Sequence, residues 1–437
     1  MPSLIFRVEP IQFNSQCVAF TEWVSLLTLC LAPLIAHIAS GTPSISYLAK
    51  QRPKWYDHLC HYNPTSVIWR YAAITDRRIR ATCWGRHDLA ASNAIFWTAD
   101  GWQGGEEMVI AAAPYSLRSP EQTHVELFSL TILKTIITAM QGISALYMLI
   151  GSLTGQTGNF ISKMGVDMIF YPLAVLGLLR LCATIWLTED FEYGSRIDVS
   201  NQINRQTLPG LSTNDVDINM KLDEDLDPFL TTPYQPGPRF RTPGSSWPSR
   251  IFRTCYLLLV GSVWAMASLY FIPGIFTTYA IYTTTSFLVS LFYFIYLTIS
   301  VILYTFYCFR GQTTSTIIPC ISSIWYRVYT LLVMCVMFVL IIIASIETNR
   351  TPLGDYTSLT APVKLDCTYR NRWWPLTNTA SFWGLASEHE IVWDRNWQNY
   401  SGLPVTEKPE NNASSEYKFW LYDFNGYCVG ELQGLDS

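Results

Sequence analysis

The chain has 437 residues, of which 50% are hydrophobic, 14% aromatic and only 14% charged, with a net charge of −4. A soluble domain carries about 25% charged residues, so the composition excludes an ordinary water-soluble globule. The near-neutral balance excludes nucleic acid as the main partner. The apolar residues gather into blocks of the roughly 20 residues that a bilayer crossing needs. The expectation is an all-α membrane protein: a six-helix transmembrane bundle with a small Trp-rich extracytosolic C-terminal region.

Residues 1–17 precede the first block. That block, Val18–Ala39, contains Glu22 and Pro33. Arg7 is balanced by Glu9 ahead of it, and Ile38-Ala39-Ser40 makes only a fair cleavage sequence, so a retained anchor is expected, not a removed signal peptide.

Residues 40–124 carry Lys50, Arg52, Lys54, Arg70, Arg77, Arg78, Arg80, Arg86 and Arg118 and read as a basic cytosolic loop. Inside it, Asn63-Pro64 is a helix start, a capping side chain followed by proline in the first turn. Val67, Ile68, Tyr71 and Ala72 give an apolar face against the basic Arg70, Arg77, Arg78 and Arg80, and Asp88 can cap a second helix. Two readings stand: an amphipathic segment on anionic lipid, or a basic loop packed under the bundle. His58, Cys60, His61, Cys83 and His87 are ligand-type residues, but their spacing matches no zinc finger, and no cofactor is expected.

The second block, Leu127–Gly151, carries Lys134 and Gln141 inside it, and the third, Met168–Leu187, carries Arg180. Counted from Glu126 and Glu189, both cations lie about 12–13 Å inside the boundary, where a charge costs at least ~2.5–3.5 kcal/mol on insertion scales. Thr131, Lys134, Thr138 and Gln141 share one helical face, and Gly177, Arg180 and Thr184 another. No acid on the other spans lies at that depth. The functional expectation is a polar, cytosol-open intramembrane cavity in which Lys134, Thr138, Gln141 and Arg180 bind an anionic or lipophilic small molecule. The alternative is that both cations reach the interface or hydrogen-bond neighbouring helices.

Residues 188–250 include VDINMKLDEDLDPFL, which is acidic, and TTPYQPGPRFRTPGSSWP, rich in Pro, Gly, Ser and Thr. Neither run can bury enough apolar surface to offset chain entropy, so a disordered cytosolic linker is expected, with a protein partner that the sequence does not name. Three further spans follow, Cys255–Ile272, Thr284–Phe309 and Tyr326–Ile346. The middle one bears a stripe of Ser286, Ser290, Tyr293, Ser300, Tyr304 and Tyr307, expected to turn inward.

The alternate loops are nearly bare of charge, so six crossings place both termini on the non-cytosolic side. In the tail, residues 347–437, glycosylation sequons at Asn349, Asn399 and Asn412 agree with that side, whereas Asn63-Pro64 is disqualified by its proline. Cys367 and Cys428 in the same tail can form a disulfide in an oxidising compartment. Trp373, Trp374, Trp383, Trp393, Trp397 and Trp420 suit a small core or interface anchors.

Enzymatic motifs are thin. Glu388-His389-Glu390 has no second histidine at the metalloprotease offset, and GTGQTGNF has no lysine after its glycines. His37, Glu126, Glu189 and Asp190 can gather at the cytosolic face, yet no motif joins them. Neither an internal repeat nor a matched pair of broken helices points to a transporter. Binding or transport of a lipophilic or anionic small molecule, scaffolding, and a membrane-embedded accessory enzyme remain as function classes, with membrane lipids as partners in each. LAPLIAHIASGTP and NPTSVIWRYAAITDRRIRA, with the Trp-rich tail, resemble a group of uncharacterised multi-pass membrane proteins of filamentous fungi. The resemblance implies an endomembrane or plasma-membrane setting and an accessory role around secondary metabolism. It brings no assigned reaction, so no catalytic residue is carried over.

Overall fold

Backbone amides cannot stay unpaired in hydrocarbon, so long apolar runs fold as helices. The computed structural model describes residues 5–13, 15, 18–49, 51–126, 128–153, 164–194, 239–271, 279–350, 356–358, 391–393 and 419–421. In chain order the helices are α1 (Phe20–Gly41), α2 (Trp55–Tyr62), α3 (Pro64–Arg80), α4 (Arg86–Asn93), α5 (Met108–Ala111), α6 (Leu130–Leu153), α7 (Tyr171–Gly177), α8 (Trp247–Phe271), α9 (Thr284–Phe309) and α10 (Ile324–Glu347). Five of them, α1, α6, α8, α9 and α10, are long and apolar enough to cross a membrane, which is compatible with a multi-pass membrane protein.

The third apolar block is not a sixth long helix. Its α-helical part ends at Gly177, and 3-10 turns follow over Leu178–Cys182 and Thr184–Trp186. The looser winding lengthens the segment: seven residues at ~1.5 Å and nine at ~2.0 Å reach about 28 Å. The block therefore still runs from one end of the bundle to the other. At one end the Val166 amide donates to Thr348 Oγ1 (3.0 Å) just past α10; at the other the Val125 amide, just before α6, donates to the Ile185 carbonyl (2.9 Å). Leu173 to Gly177, Leu179 and Arg180 are all buried, whereas Leu181 and Ile185 of the 3-10 turns are exposed, so one face of the turns packs on protein and the other is open.

The two ends of the bundle differ. One is a small clasp. There β1 (Ile5–Val8) pairs in parallel with Tyr279–Tyr282, and the buried Glu347 accepts from the Gln12 amide (3.3 Å) and the Thr285 amide (2.7 Å). Asn349–Arg350 pairs with Tyr356–Thr357, and Ile391–Trp393 with Phe419–Leu421. Asn399, Asn412, Cys367 and Cys428 lie outside the described residues, as do most of the tail's tryptophans.

The other end is a folded cap. A three-stranded sheet (Ile45–Tyr47, Ile95–Thr98, Gly101–Gln103) joins α2 to α5. Of the two readings of this segment, on lipid or packed under the bundle, the burial agrees with the second, and α3 forms the cap's core: every residue of it except Arg78 and Ile79 is buried. Asn63 caps it as anticipated, its side chain accepting from the Thr65 amide at 3.0 Å. The N-terminus of α3 inserts between α9 and α10. Thr65 Oγ1 meets Ser300 Oγ at 3.0 Å, and Asn63 Nδ2 donates to Thr330 Oγ1 at 2.9 Å. Ser300 lies nine residues before the end of α9, so α3 reaches about 14 Å into the bundle. The polar stripe of α9 is buried throughout and receives this helix; Tyr304 donates to the Thr65 carbonyl at 2.7 Å.

The expected linker is shorter than its composition suggested. Glu192–Tyr193 pairs with Ser116–Arg118. Past residue 238 the chain docks beside the end of α3, where the Thr82 amide donates to the Arg239 carbonyl and the Arg241 amide to the Arg80 carbonyl, each at 2.9 Å. Residues 195–238 lie outside the described residues.

Close packing of α6 on α7 depends on Gly142, where a Cβ would sit 2.8 Å from the Ala174 carbonyl oxygen and 2.6 Å from Leu178 Cγ. Gly142→Ala is expected to destabilise the protein by about 1–3 kcal/mol. Gly261→Ala, with open space around the site, is expected to be neutral or to stabilise by up to about 1 kcal/mol. Thermal unfolding in detergent compares the two.

Candidate functional site

Small side chains recur along one face of α1: Thr28, Ala32, Ala36, Ala39 and Ser40. They leave a groove of about 700 Å³ against α6, walled by Leu27, Leu31 and Ile35 on one side and by Ile137 and Gln141 on the other. Val24, Ile35 and Ile137 are exposed, so the groove opens on the outer, apolar surface of the bundle. Polar groups gather at its cap end, where Lys134, Thr138 and Ser40 line it.

Of the four residues expected to form one cavity, three line this groove and one does not. Gln141 faces it from α6. Thr138 Oγ1 lies 2.8 Å from the Lys134 carbonyl and 3.3 Å from Ser40 Oγ. Lys134 is neither unpaired nor deep: α6 starts at Leu130, so this residue lies only about 6 Å into the helix. Its Nζ donates to both oxygens of Glu189, at 2.7 and 2.8 Å, and both side chains are more than one-third exposed. Sequence reading used Glu189 as a boundary marker and grouped it with His37, Glu126 and Asp190, but not with Lys134; that partner lies 55 residues away, which no local spacing reveals.

Arg180 lies behind the groove wall. It is 1% exposed and is held by neutral oxygens. It donates to Thr135 Oγ1 at 2.7 Å, to the Thr131 carbonyl at 3.3 Å and to the Ser40 carbonyl. Its guanidinium stands 5.9 Å from the Tyr71 ring centroid. The acceptors come from α1 and α6 together, so Arg180 ties the two walls to the central segment. Its hydrogen-bonding role matches the second expectation for the buried cations.

The cap carries a second set of buried charges that one of the two sequence readings assigned to a lipid-facing surface. Arg70 donates to the Gly41 and Asn93 carbonyls, both at 2.9 Å. Arg77 donates to the Gly104 (2.6 Å) and Thr314 (2.7 Å) carbonyls. Burial lowers both guanidinium pKa values to about 10, which leaves them charged at neutral pH. Asp76 accepts from Arg80 Nε (2.9 Å), Ser249 Oγ (2.5 Å) and Thr313 Oγ1 (2.6 Å), and Arg80 also pairs with Glu106. Apart from Arg70 Nε and Arg77 Nε, which are buried without a hydrogen-bond partner among the described residues, these charges are held by groups of the cap and the neighbouring helices, so the set reads as a structural lock.

The ligand-type residues do not assemble. Among the described residues no three His, Cys, Asp or Glu side chains converge in a metal-binding group. His58 and His61 flank the Trp102 ring at 5.7 and 4.3 Å, and Cys83 is exposed. The acidic set expected at the same face is also divided: Glu189 pairs with Lys134, and Asp190 with Arg118, whereas His37 is buried against Gly177. No protein-family model, curated protein or solved structure matches this chain.

Two contrasts test this geometry. Arg180→Met strands buried acceptors and is expected to cost about 1–3 kcal/mol, whereas Lys134→Met removes an exposed pair worth at most about 1 kcal/mol. Chemical denaturation in detergent separates them. Burial, and then the charges of His58 and Arg70, push the His61 pKa down from 6.5 to about 3. Between those values the unfolded chain binds a proton that the folded protein excludes. Stability is therefore full above pH 6.5 and falls with acidification, by up to about 1.4 kcal/mol per pH unit. His61→Phe is expected to flatten that slope in a pH series of melting curves.

Proposed function

We propose that this protein is a multi-pass membrane protein that binds a polar-headed lipophilic molecule, taken from the surrounding bilayer, in the groove between α1 and α6. The observation that carries the reading is the groove itself: about 700 Å³, mostly apolar along its walls, with Lys134, Thr138 and Ser40 at the cap end and only Gln141 and Thr28 as polar side chains farther along. Small-molecule sites typically have such volumes, with a few convergent polar groups on an apolar lining. Outward opening suits a ligand that arrives through lipid.

Passage through the bundle is less well supported than binding at its side. Each guanidinium nitrogen of Arg180 already has an acceptor, and α3 occupies the cap-side part of the α9 stripe at Ser300 and Tyr304. A void between α6, α7, α8 and α9, lined by Ser290 and Tyr293 of that stripe, measures about 30 Å³, room for water but not for an organic solute. Scaffolding is the second reading, favoured by one observation: the chain enters residue 195 from a strand on the cap and returns at residue 239 onto the same cap.

We take the cap end as cytosolic, because its basic residues follow the positive-inside bias and the first tail sequon, Asn349, follows α10 at the other end. Asn349 is 2% exposed and has little room for a glycan. Asn399→Gln and Asn412→Gln are each expected to increase gel mobility, and Asn349→Gln to leave it unchanged. A cytosol-side protease that digests the tail removes this orientation.

Groove binding is tested by native mass spectrometry of the full chain in mild detergent. Wild type is expected to retain a lipophile, and Ala36→Trp, which fills the groove, to lose it without a fall in melting temperature. Equal retention by both proteins sinks the binding reading.

A further inference from the structure

The groove's polar end carries a paired charge, and the pair has a direction. Lys134 Nζ spends two of its three N–H donors on Glu189 and keeps one. Behind it, inside the bundle, stands Arg180, whose guanidinium has only neutral oxygens as partners. Positive charge therefore lies on the inner side of the groove's end. Glu189 and Asp190 lie on the outer side, where the segment that contains Arg180 has left the bundle and entered the cap. Asp190 is itself paired with Arg118.

We propose that the groove takes a zwitterionic phospholipid, with its phosphate against Lys134 and its ammonium group against Glu189. This rests on the groove-binding reading above and adds the class of head group. In such a lipid the phosphate is next to the glycerol and the ammonium is outermost. That order, negative inside and positive outside, is the complement of Arg180 and Lys134 followed by Glu189. An anionic head group without the ammonium would place its charge beside the Glu189 carboxylate and leave that carboxylate uncompensated once Lys134 turned to it. A neutral lipophile would leave Lys134 and Glu189 paired with each other and would gain nothing from the direction of that pair. The acyl chain then follows the small-residue face of α1 from Ser40 towards Val24, a run of about 24 Å.

The test uses the full chain in nanodiscs with equal phosphatidylethanolamine, phosphatidylcholine and phosphatidylglycerol, extracted into mild detergent and weighed by native mass spectrometry. Wild type is expected to retain the two zwitterionic lipids over phosphatidylglycerol by about fivefold, which is about 1 kcal/mol at 1.4 kcal/mol per factor of ten. Glu189→Gln, which removes the outer negative charge, is expected to erase or reverse that preference. The exchange Lys134→Glu with Glu189→Lys keeps an ion pair but inverts its direction, so it should lose the preference while the melting temperature holds.

Retention of phosphatidylglycerol by wild type at or above the level of the zwitterions overturns the head-group assignment, as does an unchanged preference in the exchange variant. If those results come with lipid that Ala36→Trp expels, the groove reading survives alone. Lipid that Ala36→Trp does not expel removes both.

Discussion

A carboxylate taken out of water must be surrounded by donors, and Asp76 meets that demand with one group from its own helix and two from distant parts of the chain. Arg80 on its own helix, Ser249 at the start of α8 and Thr313 just past α9 all reach it. Removing one partner of a buried pair leaves an uncompensated charge, a loss of roughly 3–5 kcal/mol. Asp76 thus fixes α3 against α8 and α9, and α3 in turn sets the positions of α1 and the sheet of the cap through Arg70 and Arg77. The groove depends on this at one remove: the Gly41 carbonyl held by Arg70 and the Ser40 carbonyl held by Arg180 are adjacent on the last turn of α1. The wall of the groove is therefore anchored from the cap side and from the bundle interior by two arginines on neighbouring carbonyls.

Five of the spans were legible from hydropathy alone, because twenty apolar residues between turn signals admit few other structures. The third block carried the same signal and took another form. Its winding depends on tertiary contacts, such as the bonds that Arg180 makes to α1 and α6 from within the 3-10 turns, and hydropathy does not report them. Positions of Lys134, Thr138 and Gln141 on one face followed from period alone, and they do share the groove. The groove's other half came from α1, where alanines spaced three and four apart look like ordinary helix filler until a second helix stands opposite.

Charge was the less readable part. In α3 the arginines alternate with apolar residues as they would on a membrane-surface helix, and one-dimensional pattern cannot separate that case from a core helix whose arginines bind carbonyls. The distinguishing acceptors, at Gly41, Asn93, Gly104 and Thr314, are backbone groups of loops and helix ends. Any residue type can supply them, so they leave no mark in the sequence. Lys134 was misread for a related reason: its depth was counted from Glu126, but α6 begins at Leu130 and Glu189 comes to meet it.

The span of these contacts along the chain governs the order in which the molecule can be made. Asp76 waits for partners 173 and 237 residues downstream, and β1 pairs with a strand that begins at Tyr279. During synthesis α3 leaves the ribosome with its charges still hydrated, and it can enter the bundle only after α9 has been threaded into the bilayer. Assembly of this protein is consequently late and all at once: the long helices come first, and the cap then closes over one end of them. An α3 whose downstream partners are missing would remain a soluble, basic segment, open to quality control until the last third of the chain arrives.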